Sequence, residues 1–114
     1  MSVYIKRVYE PPQQADGERI LVDRVWPRGL SRDKAAVNRW MKEIAPSSGL
    51  RKWFGHRPDR WDQFRQAYLE ELAQHEDAHR ELRRLCRRAP VTLLFAARDE
   101  RHNNAVVIRE WLGA

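Results

Sequence analysis

Two short stretches of this chain concentrate the side chains that could do chemistry. One is Asp23-Arg24-Val25-Trp26-Pro27-Arg28, and the other is Arg98-Asp99-Glu100-Arg101-His102-Asn103-Asn104. Arginine presents a planar fork that suits phosphate or carboxylate, so Arg24 and Arg28 are candidate holders of an anion. His102 can act as acid or base near neutrality. Asp99, three residues earlier, could orient or activate its ring, which makes the two a candidate catalytic pair. Asn103 and Asn104 offer amide donors and acceptors to a ligand or an oxyanion. Asp23 and Trp26 complete the ligand-binding candidates, with the indole as a stacking surface.

The elements that must position these residues follow from punctuation and periodicity. Val3–Tyr9 is rich in β-branched and aromatic residues and predicts a strand. Pro11, Pro12 and the Asp16-Gly17 pair then mark a turn. Ile20–Trp26 predicts a second strand, apolar at its start and polar at its end. Pro27 and Gly29 stop it. Ser31 suits a helix cap. Val37, Trp40, Met41 and Ile44 recur at helical spacing, although the segment is short and an extended alternative stays open. Ser47 or Ser48 caps a short helix through Phe54, and Gly55 ends it. Pro58 suits the first turn of a helix whose apolar face is Trp61, Phe64, Tyr68 and Leu72. A further helix runs from about Ala78 to Arg88. Val91–Ala97 is a continuous apolar run, the mark of a central buried strand. The last helix covers about His102 to Leu112. The expected fold is a single α/β domain over 1–114, with a mostly parallel, roughly three-stranded sheet and helices packed around it.

In a parallel sheet, ligands bind outside the carboxyl ends of the strands. The second and third expected strands both turn polar at that end, and the last helix begins there with free amides that favour an anion. Within a regular strand Arg24 shares a face with Trp26 and Asp23 with Val25, so Asp23 and Arg24 do not pair with each other. A partner on the last helix is open to one of them. Plainer roles compete with each assignment. Arg24 could bridge to a carboxylate, Asp99 could only cap the last helix, and the asparagines could satisfy backbone groups at its start. Trp26 and Trp40 could be core or rim aromatics. Against these stands the convergence of several polar types at one edge, since an exposed ion pair contributes only ~0–1 kcal/mol.

Composition narrows the classes. The 114 residues hold 22 Lys and Arg against 16 Asp and Glu, a net charge of +6 that favours anionic partners without choosing among them. The lone Cys86 excludes an internal disulfide and a multi-cysteine zinc site, in keeping with a cytoplasmic location. No run approaches the roughly 18 apolar residues of a membrane span, and Met1-Ser2-Val3-Tyr4 opens without a signal-peptide pattern, so no membrane association is expected. The cradles G-x-x-x-x-G-K-[ST] and G-x-G-x-x-G are absent, and no cofactor is implied.

Several motifs together carry a family resemblance: Val22 to Gly29, Ile44-Ala45-Pro46-Ser47, Leu50 to His56, and Thr92 to Asn104. They resemble the domain of unknown function 488 family in its YeaO-like branch, over nearly the whole chain. The resemblance implies a small α/β domain of uncharacterised activity. Larger relatives carry a Cys-His-Arg triplet after the last strand. The corresponding stretch here is His102-Asn103-Asn104, so a thiol mechanism does not carry over, and Cys86 lies elsewhere. Some relatives bear a uroporphyrinogen methyltransferase label, which the missing glycine-rich loop does not support.

Two further patterns compete for attention. His75-Glu76-Asp77-Ala78-His79 matches the H-E-x-x-H zinc motif, but it lies at a polar helix junction without a third ligand, and no metal is expected. Arg80, Arg83, Arg84, Arg87 and Arg88 form a basic stripe on one helix face, suited to nucleic-acid phosphates or simply solvated. The leading expectation is a domain that binds, and whether it also acts on remains open, an anionic small molecule, nucleotide-like ligands among the candidates. The alternative is a nucleic-acid accessory module that uses the arginine stripe.

Overall fold

The computed structural model describes residues 2–113 and places four strands and five α-helices among them. The strands are β1 (Val3–Arg7), β2 (Glu18–Leu21), β3 (Arg39–Trp40) and β4 (Val91–Phe95). The helices are α1 (Arg32–Ala35), α2 (Ser48–Phe54), α3 (Trp61–Leu72), α4 (Glu76–Arg88) and α5 (Asn104–Trp111). The sheet order is β1-β4-β2-β3 and every pairing is parallel. The apolar run of β4 lies between two neighbours, with Leu93 opposite both Ile5 and Ile20, and all five of its residues are buried. A strand covered on both faces needs no polar alternation, which explains the unbroken run.

The period of two sends these side chains to two unequal layers. Val91, Leu93 and Phe95 join Ile20 and Val22 against Phe64, Tyr68 and Leu72 of α3, Leu82 of α4 and Ile108 of α5. On the other face Leu94, Leu21 and Val8 meet only Ala35 and partly buried neighbours such as Trp26 and Trp40. That thinner layer is closed by an ion cluster. Arg19, 3% exposed, reaches Asp16 at 2.6 Å and donates to the carbonyls of Ala35 and Ala36. Lys6 approaches the same carboxylate at 3.1 Å. Gly17 beside it has φ +64, and a Cβ there would sit 2.1 Å from the Pro90 carbonyl oxygen.

Three expectations change. The sheet has four strands rather than about three, because the segment around Trp40 is extended. Its helical spacing is misleading: Val37 and Trp40 pack on the thin layer, whereas Met41 and Ile44 enter the helical one. Residues on opposite faces of a sheet cannot share one helix face, and β3 pairs with Ile20 and Leu21 instead. The second strand ends at Leu21 rather than Trp26, with one more ladder bond from Val22 N–H to Leu94. The strand-face argument for Asp23, Arg24 and Trp26 therefore lapses. Finally, the last helix starts at Asn104 and α4 starts at Glu76. The expected caps hold. Ser31 accepts from the Lys34 N–H, Ser47 from the Leu50 N–H, and Gly55 ends α2 with φ 52. No helix among the described residues is long and apolar enough to cross a membrane.

Candidate functional site

All four parallel strands deliver their carboxyl ends to one edge, and a cavity of about 380 Å³ opens there. Of the eight residues singled out in the sequence, Asp23, Arg24, Trp26, Arg28, His102, Asn103 and Asn104 line it. Asp99 does not. It stands behind His102, and its carboxylate accepts from the ring Nδ1 at 2.8 Å and from the backbone N–H groups of Arg101 and His102. The bond to His102, first, and those amides hold the Asp99 carboxyl below its ordinary value. With Nδ1 so engaged, Nε2 has no partner among the described residues. The ring also packs edge-on to Trp61, with centroids 5.2 Å apart.

Asp23 is the best-held group of the site. Beyond the end of β2 its carboxylate accepts from Ala96 N–H at 2.9 Å and from Asn104 Nδ2 at 3.0 Å. The same amide nitrogen donates to the Val22 carbonyl at 2.8 Å, so both of its protons are used. Asp23 thereby stitches the ends of β2 and β4 to the first residue of α5. Burial raises its carboxyl above the ordinary value, against the opposing pull of those two hydrogen bonds and of Arg51 and His56.

The other lining residues take both functional and plainer positions. Arg24 bridges no carboxylate among the described residues. Its Nε and Nη2 donate to the Pro46 and Ala45 carbonyls at 3.3 Å each, leaving Nη1 without a partner among the described residues. Trp26 donates to the Leu30 carbonyl at 2.7 Å and meets Trp40 edge-on at 5.5 Å, so it is a rim aromatic that also borders the cavity. Asn103 rather than Asp99 caps α5, accepting from the Val106 N–H at 3.1 Å. Tyr9 donates to the Arg28 carbonyl at 2.9 Å and pins that loop to the end of β1.

Sequence reasoning missed Arg51 and His56, which stand exposed on the cavity edge, and its apolar floor of Phe54 and Phe64. The two aromatic rings stack at 4.3 Å. Gly55 and His56 take φ values of 52 and 57, a double left-handed turn that brings the imidazole back beside α2. The signal was present: Arg51 and Phe54 lie three apart on one helix face, and a histidine follows the terminating glycine.

The other two motifs lie on and around α4. α4 begins at Glu76, so His75 is its cap, and His79 Nε2 lies 3.2 Å from the Trp111 carbonyl. In the arginine stripe, Arg80 pairs with Asp77, Arg84 with Glu81, and Arg83 donates to the Leu112 carbonyl. Cys86 is buried in α4, with its thiol pushed up by burial.

The fold and cavity define a small parallel α/β domain with a cationic pocket at its strand ends. The chain belongs to the family described as the inactive DUF488-N3 subclade, which it matches over residues 2–114. It is 46% identical over 112 residues to the uncharacterized protein YeaO of Escherichia coli strain K12, covering 98% of this chain and 97% of that one. It is 43% identical over 111 residues to the uncharacterized protein Rv3073c of Mycobacterium tuberculosis, covering 96% and 92%. No solved structure matches the chain.

Proposed function

We propose that this domain binds a small anionic molecule in the strand-end cavity and holds it without a covalent step. The observation that carries the reading is the set of basic side chains that line one cavity, Arg24, Arg28 and Arg51 with the imidazoles of His56 and His102, in a protein of net charge +6. Arg24 is preorganised by its two carbonyl contacts, and a fixed guanidinium loses less freedom on meeting a phosphate or carboxylate. His102, held by Asp99 from behind, offers Nε2 as a further ligand contact. Binding without turnover agrees with the word inactive in the family description. It also agrees with the lining, which contains no serine, threonine or cysteine, and whose tyrosine hydroxyl is already bonded.

Calorimetric titration with phenyl phosphate tests this. The wild type should bind, and Arg24→Ala, Arg51→Ala and His102→Ala should each weaken binding by about tenfold or more, the scale of a lost charge-assisted hydrogen bond. Arg87→Ala, on the stripe of α4, should bind as the wild type does. Absence of binding, or equal binding by all variants, overturns the reading.

A further inference from the structure

The cavity holds one acidic group among its cations, and that group lacks a counter-charge. Buried Asp16 is met by both Arg19 and Lys6, and half-buried Glu71, which lies outside the cavity, accepts from the Ser47 amide and hydroxyl. Asp23 enters no salt bridge among the described residues. Its two oxygens each accept one neutral amide hydrogen, from Ala96 and Asn104, and each keeps a second acceptor site. The basic side chains nearest in influence, Arg51 and His56, are exposed on the cavity edge and make no hydrogen bond to it. Desolvating an unpaired charge is costly, so a carboxylate in a cavity gains from a counter-charge. Here the carboxyl group is held in place from two elements and faces a cavity rather than a protein cation.

We infer that the ligand of this cavity is dipolar, with a phosphate or carboxylate for the arginines and a protonated amine for the carboxylate of Asp23. The inference rests on the anion-binding reading above and adds the chemical class of the ligand. An anion alone would bring a second negative group toward Asp23. A ligand with an ammonium at the other end converts that repulsion into a charge-assisted hydrogen bond and supplies the missing counter-ion. Asn104 then has a positioning role: its amide locks one carboxylate oxygen and leaves the remaining lone pairs aimed at the ligand.

Matched probes separate the two readings. 2-Aminoethyl phosphate differs from propyl phosphate by an ammonium in place of a methyl, and 4-aminobutyl phosphate differs from pentyl phosphate in the same way. For at least one chain length the amine should bind the wild type about tenfold more tightly or better, as a charge-assisted contact requires. Asp23→Asn should abolish that preference, so that the amine and alkyl phosphates of each length bind the variant equally. Equal binding of amine and alkyl phosphates to the wild type at both lengths overturns the inference and leaves anion binding intact, and it needs no variant to fold. Binding of none of the four overturns both. A preference that persists in folded Asp23→Asn also overturns the inference.

Discussion

The two aspartates at the cavity illustrate how opposite environments tune the same side chain. Asp99 is held by His102 and two backbone amides, so its folded-state value lies below the ordinary 3.8. The stability it contributes is therefore present above pH 3.8 and lost as pH falls through the lower folded value. Asp23 is raised by burial. Its contribution is complete below pH 3.8 and is lost as pH rises through the higher folded value. Denaturant unfolding across an acidic pH series should resolve the two signs. The deficit of Asp99→Asn relative to the wild type should shrink as pH falls. The deficit of Asp23→Asn should shrink as pH rises. Parallel profiles for the two variants would contradict these environments.

At the scale of elements, the sheet is secured differently on its two faces. Strand residues at alternate positions, Val3, Ile20, Val91, Leu93 and Phe95, reach the helical layer, whereas the thin layer depends on Arg19 gripping both Asp16 and the end of α1. Removing one member of a buried ion cluster strands the others, at a cost of about 3–5 kcal/mol. Arg19→Ala should lose stability on that scale in urea unfolding. Arg65→Ala, which breaks the solvent-exposed pair with Glu110, should lose no more than about 1 kcal/mol. Comparable losses in the two variants would show that the thin layer is held by its apolar contacts instead.

Over the whole molecule, the central strand couples the layers. Leu93 and Leu94 are adjacent in β4 and belong to opposite cores, so neither face can open without disturbing the other. Trp26 and Trp40 report on the thin layer, and Trp61 and Trp111 on the helical one. Tryptophan fluorescence and far-ultraviolet circular dichroism should therefore give coincident unfolding transitions. An early fluorescence transition would mean that the thin layer unfolds alone. The same scale shows how the positive charge is distributed. Three of the five arginines on the α4 stripe are engaged within the chain, while Arg28, Arg51 and His56 stand at the edge of a concave site. Concave cationic sites focus field more effectively than a solvated helix face does.

By itself the amino-acid sequence determined the features that depend on near neighbours. The caps at Ser31 and Ser47, the apolar face from Trp61 to Leu72 and the buried run of β4 are local consequences of side-chain shape and periodicity. The parallel arrangement followed from helices separating strands, and it directed seven of the eight candidate residues to one cavity. Only the tertiary structure decided that Trp40 is in a strand, because its pairing with Leu21 and the burial of Met41 on the opposite face outweigh a helical spacing. Only the tertiary structure set the chemistry of Asp23, whose partners Ala96 and Asn104 lie 73 and 81 residues away. It likewise brought Arg51 and His56 to the cavity edge. Burial and counter-charge are properties of what surrounds a group in space, and no local pattern encodes surroundings assembled from such distant parts of the chain.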